Sequence, residues 1–535
     1  MPLLFAVILI AGMVLGFNLR DTLRKKRDIQ TVIERNDRLE QLIDLISEKY
    51  VDTVNTNLLY EDAIRGILSH LDPHTVYITA SEYDEVNEDL EGGFFGIGVE
   101  FSIIRDTIQV TSVIPQGPAE RAGVGLGDQL IKVGDSVVAG TGITSERIIG
   151  MLKGKQYSRV LVTLKEPSSG EFKQVAIKRD IVPLYSVDAS IMLDSITGFI
   201  KINRFAATTY EEFEKAMKGL KAHGMKQLIL DVRQNPGGYL DAATNIADDF
   251  IDDEKLLVYT LGKSSPRRDY KANRQGIFEK GKLAILVDES SASASEILAG
   301  AVQDWDRGVI VGRRTYGKGL VQEQYDMDDG SGLRLTVAKY YTPSGRSIQR
   351  SFAKGKEAYA ADFAHRFETG ELTGTDTTNE GDTSIYYTSS KRPVYGGGGI
   401  KPDIYVPYDT ARLSSGVFNV TFSDNVRNFV WDYFMHHRSE LMNYKTIAQY
   451  QAGFDAAVLV ERYVAGLNQQ MRRSTQAILT NAASAQYFRQ HLKAQLARIL
   501  FQNNGYYSVQ TKSDNVVQRA LETFYNRKYS ALINR

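Results

Sequence analysis

In this 535-residue chain the most informative pattern lies at Gly281–Gln322, which reads GKLAILVDESSASASEILAGAVQDWDRGVIVGRRTYGKGLVQ. Leu283–Val287 is a short apolar run, which is typical of a buried strand. After a polar loop, apolar residues recur at helical spacing, namely Ile297, Leu298, Ala301 and Val302. A second apolar run, Val309–Val311, ends at Gly312. The order predicts strand, turn, helix and strand, and strands that alternate with helices indicate an α/β layered core.

Ser293 stands where the predicted helix begins, and two explanations compete for it. Ser293 and Glu296 fit the S-x-x-E capping box, in which both side chains only satisfy backbone donors. However, the free N–H groups at a helix start after a strand can stabilise an oxyanion. Lys318 follows 25 residues later between Gly317 and Gly319, and glycines permit a close approach of the backbone. This combination favours a reactive serine.

A serine hydroxyl is a poor nucleophile until a neighbouring base removes its proton. The seven histidines of the chain lie far from this stretch in sequence, and none has an obvious carboxylate partner. A lysine, whose ordinary pKa is about 10.4, can serve as the base once burial lowers that pKa. On an extended strand Gln322 shares a face with Lys318 and could hold its amine. A solvated loop lysine and an ordinary polar strand glutamine are the plainer alternatives.

The segments SASASEILAGAVQD and GRRTYGKGLVQ, which begin at Ser291 and Gly312, resemble the carboxyl-terminal processing (tail-specific) serine peptidases. The resemblance implies that Ser293 is the nucleophile, that Lys318 is the general base and that Gln322 orients Lys318. It implies no metal and no cofactor. A degenerate, inactive relative is the main alternative.

The loop Arg233–Gly238, which reads RQNPGG, matches the family's loop that supplies one oxyanion donor. A Gly-Gly turn before a helix can direct a free N–H at a developing negative charge. The sequence leaves open whether Gly237 or Gly238 is the donor, and the second donor is expected to be the N–H of Ala294. A simple Pro-Gly turn is the alternative for this loop.

The segment FFGIGVEF, Phe94–Phe101, is followed by PAERAG and GDQLIKVGD, and this order resembles a bacterial PDZ domain over residues 91–179. Consecutive N–H groups in a G-x-G turn can bind a C-terminal carboxylate, and the next strand edge can pair with an extended tail. Apolar side chains nearby would select substrates with apolar C-termini. The predicted tail-binding residues are Phe95, Gly96, Ile97, Gly98 and Val99.

The composition limits the classes of partner. With 43% apolar residues the chain can form sizeable cores, and its length indicates several domains. The net charge of −1 gives no basic field for nucleic acid. The chain has no cysteine, which excludes disulfides, thiol catalysis and cysteine-bound metal.

The run Leu3–Phe17 is apolar and uncharged, short for a membrane-spanning helix of about 20 residues and closer to the core of a signal peptide. Basic residues follow this run, and the positive-inside rule would place them in the cytoplasm. The family resemblance instead implies export across the bacterial inner membrane. We therefore expect residues 1–19 to be a signal peptide or an uncleaved anchor, and the protein to be periplasmic, attached to or exported across the inner membrane.

The predicted fold class is an α/β protease core of crotonase/ClpP-like layered βα units with an inserted PDZ domain. An N-terminal helical domain is expected at 20–90, the protease core at 180–409 and a mainly helical accessory domain at 410–535. The helical regions could support a homo-oligomer. The core should contain a hairpin of Val321–Tyr325 and Leu333–Tyr340, and Glu368–Ser384 should be a polar surface insertion.

The predicted function is a serine endopeptidase that cleaves protein substrates near their C-termini, with a PDZ domain that recognises the tail. Two alternatives belong to other classes. One is a catalytically inactive, PDZ-bearing scaffold of the cell envelope. The other is a crotonase-type acyl-CoA enzyme, whose fold also directs glycine N–H groups at an oxyanion.

Overall fold

The computed structural model describes residues 37–533 apart from 168, 253, 376–383, 411–413 and 527. The predicted segment 1–19 and the start of the N-terminal domain lie outside these residues, as do residues 376–383 of the predicted polar insertion. No helix in the described part is long and apolar enough to cross a membrane. The N-terminal elements are α1 (Asp37–Lys49), α2 (Thr56–Ser69), β1 (Val76–Ile78) and α3 (Ala80–Glu91).

The second unit is built on an antiparallel sheet with the strand order β3-β4-β5-β7-β8, and β6 pairs with β5. A separate pair, β2 and β9, closes the unit where the chain enters and leaves it. Because β3 lies at the edge of the sheet, one side of its backbone is unpaired. The elements are β2 (Gly93–Gly96), β3 (Val99–Ile104), β4 (Thr107–Val113), α4 (Pro118–Arg121), β5 (Gln129–Val133), β6 (Ser136–Val137), α5 (Ser145–Leu152), β7 (Arg159–Lys165), β8 (Phe172–Lys178) and β9 (Asp180–Pro183).

The third unit carries the main sheet, with the strand order β10-β11-β12-β15-β16-β21. All neighbours in this sheet are parallel except β10 and β11. Its elements are β10 (Val187–Met192), β11 (Thr197–Ile202), α6 (Thr209–Ala222), β12 (Gln227–Asp231), α7 (Leu240–Asp248), β13 (Leu256–Leu261), β14 (Arg268–Lys271), β15 (Lys282–Val287), α8 (Ala294–Asp304), β16 (Val309–Gly312), β17 (Leu320–Asp326), β18 (Gly332–Tyr341), α9 (Lys356–Ala360), α10 (Asp362–Glu368), β19 (Ile385–Tyr387), β20 (Pro393–Tyr395) and β21 (Ile404–Tyr405).

The main sheet is buried on both faces, which is why its strands read as continuous apolar runs. Helices α6, α7 and α8 pack on one face through a cluster that includes Phe213, Ile246 and Leu298. Every residue of β11 and β12 is buried. The predicted α/β layered core is therefore confirmed.

A second sheet stands beside the main one and has the order β1-β18-β13-β14, with β17 paired to β18. The antiparallel hairpin β17–β18 is the one predicted from the sequence, and its register places Gln322 opposite Thr336 and Gln324 opposite Arg334. The N-terminal strand β1 adds to β18 on its other side. This arrangement brings residues near 75 to the hairpin that follows Lys318.

The C-terminal region is helical, as predicted, but it divides between two places. Helices up to α17 share one apolar cluster with Ile104 and Leu126 of the second unit. Trp431 Nε1 also donates to Gln109 Oε1 at 3.2 Å. The elements are α11 (Ser415–Thr421), α12 (Asp424–His436), α13 (Arg438–Leu441), α14 (Ile447–Gly453), α15 (Ala457–Gly466), α16 (Gln469–Leu479), α17 (Ala482–Gln510), α18 (Asn515–Tyr525) and α19 (Lys528–Ile533).

Helix α18 covers the second face of the main sheet. Its apolar stripe, which includes Val517 and Phe524, packs on residues of β12, β15 and β16 such as Ile229. Asp514, just before α18, accepts hydrogen bonds from Arg233 Nη1 and Nη2 at 3.1 and 2.9 Å. The last helices therefore form a layer of the core itself, and the predicted boundaries at 91, 180 and 410 stay predictions.

Candidate active site

Ser293 lies on a strained turn between β15 and α8. Its φ and ψ are 54° and −113°, in a region that a residue with a side chain rarely occupies. Its neighbours Ala292 and Ala294 are buried, whereas Ser293 itself is partly exposed. Ser293 and Glu296 form the predicted capping box at the start of α8. A strained turn after a strand that presents a hydroxyl is the geometry of a nucleophile at the start of a helix.

Lys318 lies on the loop that leads into β17. Its Nζ donates to Gln322 Oε1 at 2.8 Å, and Gln322 Nε2 in turn donates to the carbonyl of His74. Burial lowers the pKa of the Lys318 amine below its ordinary value, and the positive charge of Arg334 lowers it further. The predicted association of Gln322 with Lys318 is thus present, and the amine points away from bulk solvent.

Glu296 links the serine turn to the lysine loop. Its Oε2 accepts from the backbone N–H groups of Ser293 and Lys318 at 2.8 and 2.9 Å. Its Oε1 accepts from the N–H of Gly317 at 2.7 Å and from the Thr315 hydroxyl at 2.5 Å. Burial raises the pKa of this carboxyl to about 7, against the effect of these donors. One buried carboxyl group therefore fixes the backbone of both predicted catalytic residues.

Tyr340 provides a second link between the same two segments. Its hydroxyl lies within hydrogen-bond distance of the carbonyl of Ser293, at 3.0 Å, and of the carbonyl of Lys318. The side chain is almost fully buried, and burial raises its pKa well above the ordinary value, so it stays a donor. Ser293 and Lys318 are therefore brought to one site, although the amine donates to Gln322 and is not hydrogen bonded to the serine.

The glycine loop packs directly on the serine turn. A Cβ at Gly237 would lie 2.7 Å from the Cβ of Ser293 and 3.0 Å from the nitrogen of Ala294. The N–H of Gly237 donates to Asn235 Oδ1 at 2.8 Å and is therefore occupied. In the part of the chain that the structure describes, the N–H groups of Gly238 and Ala294 have no acceptor. These two donors, and not Gly237, are available for an oxyanion.

Asn235 explains why the two glycines differ. Its side-chain amide donates to the carbonyl of Ile202 at 3.1 Å, while its Oδ1 accepts from Gly237. Its own carbonyl accepts from the N–H of Ala292 at 3.0 Å and from the Ser295 hydroxyl at 3.0 Å. Since Asn235 is fully buried, it fixes the glycine loop to the serine turn.

The predicted tail-binding residues of the second unit are close together but differ in exposure. Gly98 has φ +78°, and neither its N–H nor that of Ile97 finds an acceptor among the described residues. Val99 begins the edge strand β3. Phe95 is 41% exposed, whereas the Ile97 side chain is 3% exposed and belongs to the core of this unit. Gly96, also buried, pairs with Asp180 at the end of β2.

Sequence reasoning missed three contributors to the site. Glu296 was interpreted only as a cap and Tyr340 only as a strand residue. The segment LDPHTVYI, Leu71–Ile78, also resembles the family's N-terminal segment, and its interpretation from the sequence is a structural one. Burial lowers the pKa of His74 to about 4, so its ring stays neutral near pH 7, and its Nε2 is 2.9 Å from the Tyr359 hydroxyl. Only the family match of the segment around His74 hinted at its proximity to Gln322.

Four family profiles match parts of the chain. Peptidase family S41 matches residues 196–355, a PDZ domain matches 109–166 and the N-terminal domain of the activating protease CtpB matches 14–82. A family of unknown function matches 417–502. A probable CtpA-like serine protease of Staphylococcus haemolyticus is 33% identical over 360 residues, which cover 66% of this chain and 70% of that protein. The chain belongs to peptidase family S41.

The chain is also similar to three other proteins. Carboxy-terminal processing protease CtpB of Bacillus subtilis is 33% identical over 319 residues, 59% of this chain and 65% of CtpB. The chain spans 62% of the length of a CtpA-like protease of Staphylococcus epidermidis, at 34% identity. Among solved structures, the photosystem II D1 C-terminal processing protease is 27% identical to this chain, with a TM-score of 0.35. The match covers 71% of this chain and 90% of that protease chain.

The predicted family, a family of serine-type peptidases with a PDZ domain, is thereby confirmed. The roles of the individual site residues stay predictions.

Proposed function

We propose that this S41 family member is a serine endopeptidase that cleaves protein substrates near their C-termini. The observation that carries the proposal is the buried carboxyl group of Glu296, which accepts from the backbone N–H groups of both Ser293 and Lys318. A strained serine, a desolvated lysine and two N–H groups without acceptors therefore meet at one place. Membership of S41 favours this chemistry over that of an acyl-CoA enzyme.

In the proposed mechanism the neutral amine of Lys318 removes the proton from Ser293 as Oγ forms a bond to the scissile carbonyl carbon. The N–H groups of Gly238 and Ala294 donate to the resulting oxyanion. The ammonium of Lys318 then returns the proton to the leaving nitrogen as the C–N bond breaks. Water releases the acyl group by the same steps, with Lys318 again as base. Gln322 keeps the amine in position throughout.

The proposed substrates are proteins or peptides with apolar C-termini, and the PDZ domain is proposed to bind the tail. Two observations support a carboxylate site at Ile97 and Gly98: their N–H groups have no acceptor among the described residues, and the adjacent edge of β3 is unpaired. Phe95 supplies exposed apolar surface next to this turn.

The test is proteolysis of an unfolded protein that ends in apolar residues. Wild type should cleave it, whereas Ser293→Ala and Lys318→Ala should lose activity by about a thousandfold or more. Matched controls are Ser290→Ala in the same loop and Lys339→Gln on β18, both exposed positions, which should retain activity. Persistent cleavage by both catalytic variants would exclude the mechanism, and no cleavage by wild type would favour the inactive scaffold.

We also propose a location on the periplasmic side of the bacterial inner membrane, with residues 1–19 as anchor or signal. The apolar run Leu3–Phe17 supports this proposal. Protease digestion of intact spheroplasts should degrade the protein, and protection would contradict the proposal. A homo-oligomer through the helical regions is proposed as well, and a monomer mass in light scattering would contradict it.

A further inference from the structure

The hairpin β17–β18 holds a second cation in the same way as it holds the Lys318 amine. Gln322 Oε1 accepts from Lys318 Nζ at 2.8 Å, and Gln324 Oε1 accepts from Arg334 Nη2 at 2.9 Å. Gln322 and Gln324 are two residues apart on one strand, so their side chains share a face. Arg334 is opposite Gln324 in the register. The guanidinium therefore lies at the next cross-strand pair on the same face of the hairpin as Gln322, the acceptor of the lysine amine.

Both glutamines are fixed from behind by the N-terminal segment. Gln324 Nε2 donates to the Tyr83 hydroxyl at 3.0 Å and to Asn87 Oδ1 at 2.9 Å, both on α3. The corresponding nitrogen of Gln322 donates to the carbonyl of His74. Because both of its amide ends are used, Gln324 has a defined orientation, and it presents a pre-positioned acceptor to Arg334.

Arg334 has no carboxylate partner within 4 Å among the residues described, although it is partly buried. Three other arginines of the core, Arg233, Arg313 and Arg346, each have one, and Arg307, which has none, donates instead to three backbone carbonyls. Burial lowers the pKa of Arg334, as expected for a cation that loses water without gaining an opposite charge. Such a cation is costly unless an anion reaches it.

The position of Arg334 relative to the site indicates where that anion would come from. Its charge acts on Lys318 and also on the phenol of Tyr239, which directly follows Gly238. The geometry of the hairpin places it near the proposed base, because Gln324, which accepts from Arg334, and Gln322, which accepts from Lys318, lie on one face of β17. A base that returns its proton to the leaving nitrogen lies on the side of the departing fragment. A cation at the next pair on the same face of the hairpin could therefore contact the same fragment.

We propose that Arg334 binds a carboxylate of the peptide substrate on the C-terminal side of the cleaved bond and so determines specificity. The inference rests on the proposed function. A guanidinium suits this role because its planar set of donors matches a carboxylate in a bidentate way. The carboxylate is either an Asp or Glu side chain in the departing fragment or the free α-carboxylate of a short tail.

The test uses four fluorogenic peptides with one cleavable bond. They combine Glu or Gln in the departing fragment with a free carboxylate or an amide at the C-terminus. Wild type should prefer the acidic member of one pair by about tenfold or more in kcat/KM. Arg334→Gln should reduce that ratio to about one, and Arg334→Lys should restore part of it. Lys339→Gln, an exposed position on the same strand, should leave the ratio unchanged.

The two pairs identify the source of the carboxylate. If Arg334→Gln changes the ratio of kcat/KM between the Glu and Gln peptides, Arg334 binds the side-chain carboxylate. If it changes the ratio between the free-acid and amide peptides, Arg334 binds the α-carboxylate at the chain end. A ratio compares substrates within one variant, so any effect of the lost charge on the Lys318 amine cancels. Any preference of the PDZ domain for a free C-terminal carboxylate is the same in wild type and in Arg334→Gln, so it cancels when the ratios of the two proteins are compared.

An equal loss for all four peptides in Arg334→Gln would overturn the proposal, because it would indicate a role in positioning Lys318 alone. If wild type cleaves none of them, the proposed function fails separately. The inference is then decided by equilibrium binding of the same peptides to Ser293→Ala and to the double variant with Arg334→Gln. Binding that is equal for acidic and neutral peptides in both proteins would also refute it.

Discussion

Replacing Gly238 with alanine tests the proposed oxyanion site most sharply. A Cβ at this position would lie 2.1 Å from the carbonyl oxygen of Phe205 and 2.8 Å from its carbon. The φ of Gly238 is +138°, which disfavours any side chain. A carbon and an oxygen that are not bonded require more than 3 Å. The loop must therefore move by about 1 Å, together with the N–H that it presents.

A shift of this size takes the donor out of hydrogen-bond range of the oxyanion, because useful donors lie within about 2.7–3.1 Å of it. Loss of one such donor lowers kcat by about a hundredfold to a thousandfold, or about 3–4 kcal/mol. The assay is steady-state cleavage of a peptide with an apolar C-terminus. Affinity for a peptide aldehyde, which forms a tetrahedral adduct with the serine, should fall in parallel.

The control separates a catalytic effect from a general effect of the substitution. Gly219 lies within α6, and a Cβ there would meet no atom within 4 Å. Gly219→Ala should therefore retain full activity and gain about 0.5–1 kcal/mol of stability. If Gly238→Ala, still folded by circular dichroism, keeps kcat within about threefold of wild type, the assignment of Gly238 as a donor is refuted.

Three further predictions concern the links between the serine and lysine segments. The neutral amine of Lys318 is the proposed base, and burial lowers its pKa. We therefore expect kcat/KM to rise with pH and to reach half of its maximum at a pH below about 10.4. A profile in which kcat/KM does not fall at low pH would contradict this. Tyr340→Phe removes the hydroxyl that lies within hydrogen-bond distance of the Ser293 and Lys318 carbonyls. Because the Ser293 carbonyl still accepts from the N–H groups of Glu296 and Ile297, the loss falls mainly on the Lys318 carbonyl, and the free energy of unfolding should fall by about 1–3 kcal/mol in urea titration, together with kcat. Glu296→Ala removes the acceptor of four donors and should cost about 3 kcal/mol or more; unchanged stability and activity would exclude its role as a link.

The sequence was sufficient for features that depend on local patterns. Continuous apolar runs such as Leu283–Val287 predicted buried strands of a layered core, and the alternating segments around the turn 328–330 predicted the hairpin. Lys318 and Gln322 were paired because residues four apart on a strand share a face. These inferences need only a few neighbouring residues. The strands, the hairpin and the contact between Lys318 and Gln322 are present, although Lys318 precedes β17 and a register shift separates Val321 from Gln322.

Contacts between distant segments could not be derived in this way. The capping box explained Glu296 locally, and the cap on the N–H of Ser293 is present, so nothing in the sequence demanded its second role at Lys318. Tyr340 and His74 contact the site from 22 and 248 residues away in the chain. The periodicity of apolar residues identifies which face of a helix or strand is buried, but it does not identify the element that packs against that face.

The choice between Gly237 and Gly238 is a similar case. Both glycines suit the turn, and the difference arises because the Asn235 side chain binds one N–H and leaves the other free. Likewise, the sequence predicted a mainly helical accessory domain at 410–535 but not that α18 would cover the main sheet.

Covalent labelling measures whether the amine of Lys318 activates the hydroxyl of Ser293. A fluorophosphonate probe should form one adduct, located at Ser293 by peptide mass spectrometry, at a rate that rises with pH. Lys318→Ala should reduce that rate by about a hundredfold or more. An adduct on another serine, or equal rates in wild type and Lys318→Ala, would contradict the account.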